Sequence, residues 1–293
     1  MRILEICYEI SWIIAAIVFY SISLAPGYYL VTWGQQALAF PMVLLTYPTA
    51  FFLFLLTLIL TIGGVKTLLI PELKEGTHLY PDSKPVYIWF CNKGFSEILL
   101  IPFSKIIFSN DVLKYLSLRL LGAKIPYSNG ISTPYITDFD LLNVGERTTI
   151  GAFTKVYPHI QVGKDKLVLG SIQVGEDSLI AGNCSVMYGT KIENRVFVGY
   201  NTKILLNTHI DNDTRIDWNC SLGKNCYIGK NVKIGSHCIL GSRVTVKDNL
   251  QIPELTYIPD NAVIASEQDV CMYTYSIVYQ ADREDDCQIQ ANL

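Results

Sequence analysis

From Ile10 to Val65 the chain has no Asp, Glu, Lys, Arg or His. An uncharged run of about 56 residues is too long for one membrane span of ~20 residues and suits two. The spans are expected near residues 10–30 and 39–63, with the uncharged VTWGQQ between them as the turn. Trp12, Tyr28, Tyr29 and Trp33 are placed to anchor at membrane interfaces. A cleaved signal peptide would also begin with a basic residue, here Arg2. Glu5 and Glu9 are out of place for one, however, and a second apolar run follows at once. The connecting turn carries no basic residue, whereas Arg2 precedes the hairpin and Lys66, Lys74 and Lys84 follow it. This asymmetry predicts a multi-pass membrane protein with both ends, and the carboxy-terminal half, on the cytoplasmic side.

Other absences narrow the function. No CxxC occurs among the eight cysteines, which argues against a zinc ribbon or a redox motif and reads as reduced, small core side chains. No glycine-rich phosphate loop is present. A net charge of −3 lacks the basic excess that a nucleic acid partner requires.

What is present is a period of six. Every sixth residue from Val144 to Ile264 is Val, Ile or Leu. Four residues after most of the aliphatics stands a small or β-branched residue, such as Thr148, Thr154, Ser178, Cys184, Thr202, Thr208, Cys220, Cys226 or Cys238. Glycine often follows the aliphatic directly, as at Gly145, Gly151, Gly199 and Gly223. Six is neither a helix nor a simple strand period. It fits a solenoid in which each hexad is one short strand and a corner, and three hexads close a coil of about 18 residues. Each aliphatic points inward and stacks on its equivalent in the next coil, about 4.8 Å away. The column resembles that of the hexapeptide-repeat proteins, which are left-handed parallel β-helices. The period is in the sequence, whereas the left hand is implied by the resemblance and runs against the usual crossover rule.

The expected fold is therefore mainly β: a left-handed parallel β-helix (hexapeptide repeat) preceded by a two-helix transmembrane hairpin and short interfacial helices. The hairpin covers residues 1–66, a linker with interfacial or capping helices 67–123, the β-helix 124–265 and a tail 266–293. In the linker, EILLIPFSKIIF and DVLKYLSLRLLGAKIP have helical apolar spacing, with Asp111 as a cap and Gly122 as a stop. They suit helices lying in a membrane interface or packed as a cap on the solenoid. The tail is expected to cover the open end of the coil.

There are four histidines. His78 lies in a polar linker, His159 three residues after Val156, His209 five after Ile204 and His237 three after Ile234. The gaps of 50 and 28 residues from His159 to His209 to His237 do not make a metal triad, so no metal is expected. One histidine as general base fits better, because imidazole takes a proton near neutral pH when an acid holds its tautomer. Asp140 stands 19 residues before His159, one coil plus one, and Asp138 two further. The catalytic candidates are His159, Asp140 and Asp138. The plain structural alternative makes His159 a polar corner residue and both acids turn carboxylates.

The segment STPYITDFDLLNVGERTTIGAFTKVYPHIQ resembles the carboxy-terminal membrane domains of poly-lysine synthetase-like nonribosomal peptide synthetases, which are hexapeptide repeats beside membrane helices. Thr137, Asp138, Phe139, Asp140 and Leu141 match in order, His159 falls on the family's histidine, and Tyr188 and Trp218 are in place. The resemblance covers residues 118–218. It departs at Ile160-Gln161-Val162-Gly163, where the family has an acidic pair, and in the coils continuing from Asn219 to Ile264. No adenylation or carrier domain is found, so peptide synthesis is not expected. The resemblance implies a membrane-anchored acyltransferase with His159 as base and Asp140 orienting it. Its co-substrate would be acyl-CoA or an acyl-carrier thioester, with no bound cofactor. Its acceptor would be a small-molecule or lipid-linked hydroxyl or amine, and its assembly a homotrimer. A non-catalytic β-helix scaffold at the membrane is the alternative reading. A nucleotidyltransferase with a β-helix tail is disfavoured, since no α/β nucleotide domain precedes the repeat.

Overall fold

The structure, a computed structural model, describes residues 2–81 and 83–273, with residues 2–7 described by backbone alone. The chain divides into two units. One comprises Met1–Leu73 with Tyr87–Ala123; the other comprises Lys74–Val86 with the chain from Lys124 onward.

The first unit is helical. Helix α1 spans Arg2–Ala37 and α2 spans Thr46–Leu69. The expected turn is displaced: Val31–Gln36 continue α1, and the chain reverses at residues 38–45. Thr, Trp and Gln are compatible with a helix, whereas Pro41 drives the residue before it out of the α region. Helix α3 runs over Lys84–Phe108, longer than the apolar pattern indicated, and α4 over Asp111–Leu120. The cap of α4 is Asn110, whose side chain accepts from Leu113 N at 3.0 Å; Asp111 instead pairs with Lys114 at 2.6 Å. Tyr8 and Tyr20 of α1 donate to the carbonyls of Phe90 and Ile98 in α3, at 3.1 and 2.9 Å. Trp12 lies on Gly94 and Leu120 on Gly63, positions where a Cβ would collide with those side chains.

The second unit is a three-sided parallel β-helix. Its first face carries seven strands, from Leu142–Val144 to Val263–Ile264. Its second face also carries seven, from Gly130–Ile131 to Gln251–Ile252. The third carries six, from Lys155–Tyr157 to Tyr257–Ile258. Equivalent residues stack 18 apart, as in Ile192 on Ile210 on Ile228. Ile204, Ile210, Ile216, Leu222 and Ile228 are completely buried, and each such side chain is worth about 1.5–3 kcal/mol. Three residues after most of the aliphatics the backbone turns left-handed, mostly at Asn or Asp, as at Asp177, Asn183, Asn201, Asn207, Asp213, Asn219 and Asn225. These residues tolerate that conformation better than other side chains do.

The column of sixes contains a false stretch. Val144, Ile150 and Val156 pair with Val174, Ile180 and Val186, 30 residues on rather than 18. The extra twelve residues leave the coil as an antiparallel arm. In it β2 (His159–Val162) pairs with β3 (Lys166–Leu169), and β3 pairs in turn with β1 (Gly76–Leu79). Val162, expected to point inward, is exposed. Twelve is two hexads, so alternation within the arm imitated the solenoid period.

The small column has a shared task. Thr208 and Thr214 donate to the carbonyls of Gly223 and Gly229 in the next coil, at 2.8 and 2.7 Å. Cys184, Cys220, Cys226 and Cys238 point their thiols at the carbonyls of Gly199, Gly235, Gly241 and Pro253, at 3.0 to 3.2 Å. Burial pushes the Cys184 and Cys226 thiols up, away from thiolate. These four thiols are expected to ignore Ellman's reagent until the protein is denatured. Cys184→Thr, which keeps the donor, is expected to cost no more than about 1 kcal/mol in urea unfolding. Fast labelling of the folded chain would contradict this packing. Cys271 departs from the all-reduced reading: it is disulfide-bonded, and not to any of the free cysteines Cys91, Cys184, Cys220, Cys226 and Cys238.

Helix α5, Glu267–Tyr273, closes the last coil. Val270 is buried, and Glu267 Oε1 accepts the strand-edge N–H of Gln251 at 3.2 Å. The acidic end of the tail lies outside the described residues.

Candidate active site

His159 stands where the arm leaves the third face. The neck is closed by Gly170 N donating to Pro158 O at 2.9 Å and by the pairing of His159 with Leu169. One coil earlier, Asp138 takes a left-handed backbone (φ 51°, ψ 58°) and leads into a 3-10 turn, Phe139–Leu141. Its carboxylate Oδ2 meets His159 Nδ1. The Asp138 side chain is 3% exposed and that of His159 is 23% exposed. With Nδ1–H donating to the carboxylate, the neutral ring carries its lone pair on Nε2.

The carboxylate at His159 Nδ1 is that of Asp138, the second of the two acids that the coil spacing offers. The first coil is stretched. Its backbone offset to the next is 19 at Lys124–Asn143 and at Ile131–Ile150 and 20 at Ile136–Val156, and the Asp138 side chain meets the ring of His159, 21 residues on. Asp140 is buried in the 3-10 turn two residues on. Thr137 N donates to Val156 O at 3.3 Å, and the Thr137 hydroxyl is buried with no hydrogen-bond partner. Tyr157 pairs in register with Met187, and the ring of Tyr188 rests against Gly170.

The other histidines lie apart from this pair. His78 is in β1 opposite Leu167, its Nε2 buried and unpartnered. His237 sits at a left-handed corner, its Nε2 3.2 Å from Asn219 Nδ2. His209 lies on the first face with Nε2 3.2 Å from Glu193 Oε1. This last contact escaped the sequence reading, although counting 18 back from His209 reaches Lys191, two residues before Glu193. Among the described residues, no cluster of three or more His, Cys, Asp or Glu side chains is arranged to hold a metal ion.

The pattern of the family described as GMPPB C-terminal domain matches residues 162–271, less than half of the chain. No curated protein matches. Among solved structures, LpxA from Acinetobacter baumannii is 20% identical over 49% of this chain, with a TM-score of 0.25; the chain spans 65% of that protein's length. A UDP-N-acetylglucosamine acyltransferase from Campylobacter jejuni is 13% identical over 58% of this chain and 73% of its own, with a TM-score of 0.23. The acetyltransferase domain of PglB from Neisseria gonorrhoeae, in complex with acetyl coenzyme A, is 15% identical over 53% of this chain and 66% of its own, with a TM-score of 0.18. Similarity this distant carries no residue assignment.

Proposed function

We propose that this chain is a membrane-anchored acyltransferase that moves an acyl group from a coenzyme A or carrier thioester to a hydroxyl or amine. The observation that carries this reading is the imidazole of His159 held at Nδ1 by the buried carboxylate of Asp138. Nε2 takes the proton of the acceptor O–H or N–H as that atom attacks the thioester carbonyl. The C–S bond breaks, and the departing sulfur takes the proton back from the ring. Asp138 holds the tautomer and supports the transient imidazolium. Asp140 lies in the turn that presents Asp138 and is read as a positioning residue. The resemblance to the membrane domains of poly-lysine synthetase-like enzymes supports the same chemistry, with a small-molecule or lipid-linked acceptor and a homotrimer as the working assembly.

The anchor rests on α1 and α2. Two helical stretches, Tyr8–Ala37 and Met42–Leu69, are long and apolar enough to cross a bilayer, and only 11% and 22% of their most apolar windows are buried. A core helix of a soluble protein would be mostly covered. Here Ile13, Ile14, Ile17, Phe52 and Leu60 are exposed, a surface that suits lipid. Full-length protein is expected to stay in the membrane pellet after alkaline carbonate extraction and to enter solution with detergent; release by carbonate alone would contradict the anchor. The basic residues flanking the hairpin favour a cytoplasmic β-helix.

Catalysis is tested with detergent-purified full-length chain, acetyl-CoA and a panel of hydroxyl and amine acceptors. Release of free CoA that depends on both acceptor and His159 is expected. Absence of turnover on every acceptor favours a membrane scaffold, the reading that the missing acidic pair after His159 supports.

A further inference from the structure

The first face presents a second imidazole held by a carboxylate. Its outward residues stack in register as Gln173, Lys191, His209 and Tyr227. Glu193, just past the Lys191 strand, sets Oε1 2.5 Å from Lys191 Nζ and 3.2 Å from His209 Nε2. The ring of Tyr227 meets that of His209 edge to face, 5.2 Å between centroids at 88°. Tyr227 in turn donates its hydroxyl to Asp211 Oδ2 at 3.2 Å. The Asn212 backbone N–H keeps the Asp211 carboxyl ionised, while burial and Asp211 hold Tyr227 as a phenol. Tyr227 thus donates to Asp211, and the Glu193 carboxylate, an acceptor only, sets Nε2 of His209 as the donor.

Three constraints act on His209. The Glu193 carboxylate accepts a hydrogen bond from Nε2–H, which leaves the lone pair on Nδ1. Lys191 shares the charge of Glu193, so the carboxylate orients the ring beside a compensating cation. Tyr227 fixes the plane of the ring. The His209 side chain is 35% exposed, so solutes reach it. This is the His159 arrangement with the ring nitrogens exchanged. His237, by contrast, has only a carboxamide beside it.

We infer that His209, oriented by Glu193, is a second general-base site, acting on a hydroxyl or amine acceptor seated on the first face between Lys191 and Tyr227. Nδ1 takes the acceptor's proton as its oxygen or nitrogen attacks an acyl carbonyl. The bond to the leaving group breaks, and the leaving group takes the proton from the ring. The inference shares only its acyl chemistry with the reading of His159 and does not depend on it.

The test uses p-nitrophenyl acetate as acyl probe and water as acceptor, with full-length protein in detergent. His159→Ala is expected to retain measurable release of p-nitrophenol. Adding His209→Asn is expected to remove about 10²-fold of that remainder, and adding Glu193→Gln several-fold, with unchanged unfolding temperatures. Diethyl pyrocarbonate followed by mass spectrometry is expected to modify His209 faster than His237 in the parent chain, a lead lost in Glu193→Gln. Equal turnover by His159→Ala and the double variant overturns the inference, whatever the modification rates. If His159→Ala leaves acetyl-CoA turnover intact while His209→Asn abolishes ester turnover, the reading of His159 fails and this one stands.

Discussion

His159→Ala is expected to lower acceptor-dependent thioester turnover by about 10²–10⁴-fold, the range that general-base assistance contributes. The fold should be unaffected, because His159 stands at the neck of the arm and contributes nothing to the inward column. Asp138→Asn is the sharper experiment. An amide in that position can offer its N–H to Nδ1, favouring the wrong tautomer, and it cannot support the imidazolium. A loss of up to about 10⁴-fold is expected, the scale seen when the aspartate holding the tautomer of a general-base histidine becomes asparagine. Asp140→Asn is expected to lose less, because the carboxylate meeting Nδ1 is that of Asp138. Steady-state turnover of the three purified variants, each checked for the parent unfolding temperature, decides the matter. Turnover by Asp138→Asn at the parent rate removes the basis for the assignment.

The largest stability effects follow from register. Excising residues 160–171 removes twelve residues and brings Val174 six residues after Val156, restoring the 18-residue coil. The β-helix is expected to fold with a cooperative transition, the cost confined to β1, which loses its antiparallel partner Lys166–Leu169. Deleting Asn225 alone moves every later aliphatic off its column, so that Ile228, Ile234 and Leu240 no longer stack on Ile210, Ile216 and Leu222. A one-residue slip turns inward side chains outward. Even one truncation in this column, Ile210→Ala, costs about 2–5 kcal/mol; deleting Asn225 is expected to leave the later coils unfolded. Circular dichroism and limited proteolysis distinguish the two deletions. A folded Asn225 deletion, or an unfolded arm excision, contradicts the register described above.

Much of this architecture is legible in the residues, and the failures have identifiable causes. The aliphatic column, the small column and the corner asparagines repeat because each coil poses the same burial problem. The arm was hidden because its length is two hexads. The hairpin turn falls later than expected because VTWGQQ, though it follows the first apolar run, suits a helix, while the stop comes from Pro41. The cap of α4 fell one residue early, on Asn110, and its extended backbone rather than its side-chain type set that choice.

Periodicity alone settled that the chain coils in sixes after an uncharged hairpin, because inward burial is a local demand renewed at every turn. It also brought His159 and the Asp138–Asp140 pair within one coil of each other. Which carboxylate meets Nδ1 depended on how far the first coil stretches, from an offset of 19 at Ile131–Ile150 to 20 at Ile136–Val156. That Glu193 stands beside His209 depended likewise on stacking between strands far apart in sequence. Side-chain contacts between coils are set by the accumulated register of all the residues between them, and no short segment carries that sum.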